Sequence, residues 1–367
     1  MTTAKMAAMP VPHWPGRMVT LTEGERVWLA ETGSASPGGR PPGAPRCAPN
    51  GTDRHFIGCA DGSVPDNDDV LCVHGMAGAA TNWTDFMAEL AGEFGCAAVD
   101  LPGFGLSPPP GTAAGYSVSG LARTVSKVIG EQLRRPVHLV GNSLGGAVAV
   151  KLAATRPDLV RTLTLISPAL PDWQVHPSLV QFPLLALPKV GTILMRRVGS
   201  LPAEDRVAMV MRNCFYDPGA VHPARLALEV AELRRRDKLE YAAATLTGAA
   251  RTITVEYLRP PHWSLWRDAE RIRVPVLAIY GSHDRLVHPR GAARAVLAFR
   301  DAPDARVLLL PRTGHVAQME HPALVAGHFR EMVGRVRGMP ERATGLSRKR
   351  KTPNKIGSWH SVAATAG

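Results

Sequence analysis

Six short apolar runs constrain this chain more than any other feature of its sequence. They lie at 70–73, 96–99, 137–140, 163–166, 276–280 and 307–310. Most lack the polar alternation of a half-exposed strand, so they read as strands covered on both faces, as in a parallel sheet. Helical patterns separate many of them, at 83–93, 118–134, 144–155, 290–299 and 323–336. Ahead of the series, 18–21 and 26–31 form an opening antiparallel hairpin that turns at Glu23 and Gly24. The alternation predicts an α/β protein: a mostly parallel eight-stranded sheet flanked by helices.

The rhythm breaks between Ala169 and Asp268, where no strand is evident but 223–236 and 239–257 have helical patterns. This reads as a helical insertion, residues 169–268, after the sixth strand. It divides a core made of 18–168 and 269–338. Three further stretches look unlike a packed core: an N-terminal arm at 1–17, a Gly-, Pro- and Ser-rich loop at 33–69, and a basic tail at 339–367. All three are expected to be flexible or disordered.

The formal charge is +12, from 43 Lys and Arg against 31 Asp and Glu. Between Arg335 and Lys355 lie Arg335, Arg337, Arg342, Arg348, Lys349, Arg350, Lys351 and Lys355 against Glu341 alone. The excess is therefore concentrated at one end, and no basic stripe interleaved with aromatic residues marks a nucleic-acid surface. No apolar run approaches the ~18 residues of a membrane span. Prolines and Trp14 interrupt the first eighteen residues where a secretory signal needs a continuous apolar stretch. A cytoplasmic protein is the expectation. Five cysteines at irregular spacing match neither a disulfide framework nor a zinc site. Cys72 and Cys96 read as buried thiols, and Cys47 and Cys59 as a pair that oxidation alone would join.

The chemistry is concentrated in four places. Gly141-Asn142-Ser143-Leu144-Gly145 lies between a strand and a helix. Alone the pentapeptide is weak; in that context it is the turn that lifts a serine to the carboxyl edge of a sheet. Gly281-Ser282-His283-Asp284 follows the seventh strand, and Gly314-His315-Val316-Ala317-Gln318-Met319-Glu320-His321-Pro322 follows the eighth. The third strand runs into His74-Gly75-Met76-Ala77-Gly78.

In this order the motifs resemble those of the α/β-hydrolase family, over roughly residues 18–336. The resemblance implies a serine hydrolase with Ser143 as nucleophile, Asp284 as the orienting acid and His315 as the base. Asp172, after the sixth strand, is the alternative acid, and His283, His288 and His321 are the neighbouring histidines that compete for the role of base. The backbone N–H groups of Met76 and Leu144 would form the oxyanion hole. His74 is read as holding its own turn by hydrogen bonding. Asp100-Leu101-Pro102-Gly103-Phe104-Gly105-Leu106-Ser107 resembles the family's structural turn, with no dinucleotide fingerprint. The insertion falls where the family carries a cap. Its Trp173, Phe182, Met195, Met209, Met211, Phe215, Trp263 and Trp266 supply the cap's own core or an apolar acyl pocket.

The resulting expectation is hydrolysis of a carboxylic ester with an apolar acyl group, through an acyl-enzyme, without metal or organic cofactor. The partner is a small molecule rather than nucleic acid. Gly141-Asn142-Ser143 and His315-Val316-Ala317-Gln318 are also similar to the carbon–carbon hydrolases of ring-cleavage products. Those would need a group for the substrate carboxylate, such as Arg196 or Arg197. A cofactor-free perhydrolase would use the same three residues, and a non-enzymatic ligand-binding module on the same fold would bind without turnover.

Overall fold

The computed structural model describes residues 14–32, 68–172 and 181–338. The expectations for 1–13 of the arm, 33–67 of the long loop, the tail, Cys47, Cys59 and Trp173 fall outside these residues. The remaining ends of the arm and loop are ordered rather than flexible: Trp14 is buried and donates to Thr84 O (3.1 Å), Gly16 and Arg17 begin the first strand, and Asp69 begins the third.

Eight strands form one sheet: β1 (Gly16–Thr20), β2 (Arg26–Glu31), β3 (Asp69–Val73), β4 (Gly95–Val99), β5 (Val137–Asn142), β6 (Val160–Ile166), β7 (Val276–Gly281) and β8 (Ala305–Leu310). Their order across the sheet is β1-β2-β4-β3-β5-β6-β7-β8. The β1–β2 hairpin and the β2–β4 pair are antiparallel, and every other pairing is parallel. The hairpin turns through 21–25, where Gly24 N donates to Leu21 O (3.1 Å) and Glu23 and Gly24 are left-handed, at φ 67° and 74°.

The apolar runs are uninterrupted because both faces of the sheet are covered. Leu71, Val73, Leu139, Leu163 and Leu165 belong to the core on one face, and Val70, Cys72, Val140 and Ile166 to the core on the other. The first core is closed by helices including α2 (Val118–Lys127) and α3 (Leu144–Thr155); α1 (Thr84–Leu90) lies against the second. The helix expected at 118–134 is not uniform. After α2 it widens into a π-helical turn, Val128–Leu133, and stops at Arg134 in the left-handed conformation.

After β3 the chain steps to β4 on one side, then crosses back to β5 on the other. That reversal separates the loops leaving the carboxyl ends of β3 and β5, and such a crevice is where sheets of this kind bind ligands.

Between β6 and β7 the described helices are α4 (Gln181–Ala186), α5 (Pro188–Gly199), α6 (Ala203–Cys214), α7 (Pro223–Asp237), α8 (Ala242–Leu258) and α9 (Leu265–Ala269). The last packs on α3, and its Leu265 and Trp266 join the main core. A smaller apolar cluster joins Val207, Met211 and Phe215 of the α6 region to Leu233 and to Val316 beyond β8. The chain closes with α10 (Gly291–Ala298), the short α11 (Ala317–Glu320) and α12 (Pro322–Arg337), the last covering the second face through Phe329 and Met332.

Candidate active site

Ser143 sits between β5 and α3 with φ 54° and ψ −119°, a conformation that costs a non-glycine residue on the order of 1–3 kcal/mol. The surroundings enforce it. Its N–H donates to Ile166 O (3.0 Å), and its carbonyl accepts from Ala147 N (3.0 Å) and Ala169 N (2.9 Å). The flanking glycines permit the close approach: a Cβ on Gly145 would lie 2.2 Å from Val73 O, and one on Gly141 would lie 2.5 Å from Gly145 O. The turn therefore brings α3 directly under the end of β3.

Asp284 follows β7 and His315 follows β8, and both are buried. His315 Nδ1 donates to Asp284 Oδ2 at 2.8 Å, while Asp284 Oδ1 accepts from Leu286 N (2.8 Å) and Val287 N (2.9 Å). Burial alone would raise the carboxyl pKa. The charge and hydrogen bond of His315 and the two amides outweigh it and hold the group below its ordinary value. With Nδ1–H committed to the carboxylate, Nε2 is the ring nitrogen left to exchange a proton.

The other candidates have different surroundings. His283 Nδ1 lies 2.8 Å from Ser282 Oγ, His288 Nδ1 accepts from Arg290 N (3.1 Å), and His321 precedes the first turn of α12. Asp172 stays half-buried beyond β6. Its charge and that of Asp284, after burial itself, help push the Tyr257 hydroxyl up to about 12.

The loop after β3 approaches the serine closely, since a Cβ on Gly75 would lie 3.0 Å from Ser143 Cβ. Buried His74 spans the base of this loop: Leu101 N donates to Nε2 (3.0 Å), so the neutral ring presents Nδ1–H to Gly75 O (2.7 Å). Burial pushes its pKa down to about 4, keeping that tautomer neutral. Gly75 O also accepts from Gly78 N (3.1 Å). A trans peptide points its C=O and N–H in opposite directions, so fixing Gly75 O also fixes the Met76 N–H. The Leu144 N–H belongs to the first turn of α3, whose amides have no partner within the helix.

Asp100 closes the adjoining turn. Its carboxylate accepts from Ala80 N (2.6 Å) and Leu106 N (2.7 Å), and Ser107 Oγ donates to its carbonyl (2.7 Å). Burial raises its pKa to about 6.

Two residues quoted in the motifs carry functions that the sequence reading did not assign. The Asn142 amide donates to Ile166 O and His315 O, each at 3.0 Å, tying the serine turn to the histidine loop. Glu320 accepts from Gly314 N (2.7 Å) and Tyr216 N (2.8 Å), while His315 N donates to Cys214 O (2.6 Å). The histidine loop is thereby bonded to the end of α6. Arg196 and Arg197 are exposed at the end of α5. Among the described residues, no cluster of three metal-ligating side chains occurs and no helix is long and apolar enough to cross a membrane.

A sequence profile described as "alpha/beta hydrolase fold" matches residues 69–322. The chain is 28% identical over 257 residues to a 2-hydroxy-6-oxononadienedioate/2-hydroxy-6-oxononatrienedioate hydrolase of Cupriavidus pinatubonensis, covering 69% of this chain and 82% of that protein. It is also 28% identical over 255 residues to the dihydrolipoyllysine-residue acetyltransferase component of the acetoin cleaving system of Cupriavidus necator, covering 68% of this chain and 59% of that one. Among solved structures, the haloalkane dehalogenase DbeA of Bradyrhizobium elkani superposes with a TM-score of 0.66 at 21% identity, covering 89% of this chain and 99% of that one. The last likeness concerns the fold alone, which hosts several chemistries. The profile and the first relative support hydrolysis as the reaction class. Matched over more than half its length and built on the corresponding sheet, the chain belongs to the alpha/beta hydrolase fold family.

Proposed function

We propose that the protein is a serine hydrolase that cleaves a carboxylic ester with an apolar acyl group. The observation that carries the reading is the buried His315–Asp284 pair, bonded at 2.8 Å and tied through Asn142 to a serine in left-handed conformation. Ser143 Oγ attacks the ester carbonyl while its proton passes to His315 Nε2. The Met76 and Leu144 N–H groups receive the negative charge that develops on the carbonyl oxygen. Collapse expels the alcohol, which takes the proton from His315 and leaves the acyl group on Ser143. Water, deprotonated by His315, then releases the carboxylic acid. The helical insertion acts as a cap over this centre, with Phe215 and Met211 next to the histidine loop through Val316.

A second reading, carbon–carbon cleavage of a ring-opened dienoate, draws on the named activity of the Cupriavidus pinatubonensis relative. Turnover of p-nitrophenyl esters of increasing chain length, measured beside such a dienoate, separates the two. Ester cleavage predicts kcat/KM climbing at most roughly fourfold per added methylene to a medium chain, then falling. A flat ester profile with efficient turnover of the dienoate would select the second reading.

A further inference from the structure

On α7, Arg225, Glu229, Glu232 and Arg236 recur at helical spacing and form a charged stripe on one face. The stripe meets the loops at the carboxyl ends of the strands. Arg225 donates to Thr81 O (2.9 Å) and Thr84 Oγ1 (2.7 Å), and pairs with Asp85. Asn82 Nδ2 donates to Glu229 (3.3 Å), and neighbouring Arg235 reaches Gly105 O. The last member, Arg236, donates from Nη1 to Ala77 O at 2.8 Å. Ala77 is left-handed, at φ 61°.

The Ala77 carbonyl and the Gly78 N–H belong to one peptide group. The Gly78 N–H donates to Gly75 O (3.1 Å), and that carbonyl shares a peptide group with the Met76 N–H. Two planar groups thus lie in series between the guanidinium and the oxyanion donor. Hydrogen bonds in series polarise one another, so a cation at one end strengthens the donor at the other. We infer that Arg236 is a positioning residue for the oxyanion hole, aiming and polarising the Met76 N–H through the Ala77–Gly78 and Gly75–Met76 peptides. The inference rests on the serine reading above. It adds that the cap helix completes the catalytic loop as well as covering it.

The test uses the full-length protein with p-nitrophenyl butyrate and a trifluoromethyl ketone, whose adduct with the serine carries an oxyanion. Losing one direct oxyanion donor costs roughly 10²–10³ in kcat, and an indirect support should cost less. Arg236→Met is expected to lower kcat roughly tenfold or more and weaken the ketone in parallel, with KM within about twofold. Arg236→Lys, which keeps the charge, should recover more activity than Arg236→Gln, and these two variants carry the comparison if Arg236→Met does not fold. Arg225→Met, on the same stripe but off the 75–78 loop, should lower Tm without moving kcat or ketone affinity.

Wild-type kcat and ketone affinity in both Arg236→Met and Arg236→Gln overturn the inference. So does an equal kcat loss in Arg225→Met, which would mean that any loosening of α7 has this effect. Ser143→Ala identifies which idea has failed: if it retains turnover, the serine reading falls and takes this one with it. If it is inactive while the Arg236 variants stay at wild-type values, only the relay falls.

Discussion

The two halves of the insertion place charge and apolar surface in opposite ways. The α6–α7 half turns charge inward: its arginines bind backbone carbonyls of the core, and a small apolar cluster joins it to Val316. The α4–α5 half turns apolar residues outward. Leu184 is 50% exposed and Ile193 58%, and Leu187 and Val190 are also exposed. Lys189, Arg196 and Arg197 are the charged residues of 181–203. A surface helix ordinarily does the reverse on both counts. Charge is tolerable under α7 because each guanidinium meets carbonyl or carboxylate oxygens, whereas an unpaired buried charge is costly. One half is therefore specified by directional bonds to particular loops, and the other by its packing on α8.

The largest effect should come from the serine turn and the histidine loop that α6 touches. His315→Ala and Ser143→Ala should each lower kcat by roughly 10⁴ or more, with the double variant little worse than either because the two act as a unit. Steady-state kinetics on the ester series checks this. Multiplying losses would separate the residues and remove the reason for α6 to be bonded beside His315.

A smaller effect distinguishes the halves by stability. Phe215→Ala empties a buried position in the α6–Val316 cluster and should cost about 3–5 kcal/mol. Ile193→Ala on the outward face of α5 should stay within about 0.5 kcal/mol. Urea denaturation measures both, and comparable losses would mean that the α5 face is covered in solution.

The third prediction concerns the floor under α7. His74 titrates at about 4 in the folded protein against an ordinary 6.5, so the unfolded chain binds more protons between those values and stability falls on acidification. Asp100 titrates at about 6 against 3.8, so the folded chain binds more protons there and stability rises on acidification. Each contribution is about 3 kcal/mol with opposite sign, and together they nearly cancel. Relative to wild type, His74→Gln should gain Tm from pH 6.5 to 4, while Asp100→Asn should lose it. Parallel Tm curves in all three proteins would break the argument.

How much of this was legible in the sequence depended on the distance over which each residue acts. The sheet was, because strands buried on both faces write their burial into consecutive residues such as 70–73. So were the serine turn and the placement of Asp284 and His315 just beyond their strands, since local glycine patterns and strand ends mark them. Asn142 and Glu320 were not, because their partners include the backbone of His315 and Tyr216, far along the chain. Nor does composition tell which apolar cap residues face inward. Met209 and Met211 lie two positions apart on α6, yet the first is 42% exposed and the second 5%. Helical phase against a neighbouring element decides that, and the neighbour is set by the tertiary fold.

The backbone at Ser143 also bears on thermal endurance. A chain selected only for heat resistance would place glycine there, because glycine adopts φ 54° without the steric cost that serine incurs. Even after the greater freedom glycine regains on unfolding, such a protein should be more durable by about 1 kcal/mol. If Ser143 is the nucleophile proposed above, the hydroxyl occupies the position at the expense of durability, a trade between persistence and turnover concentrated in one residue.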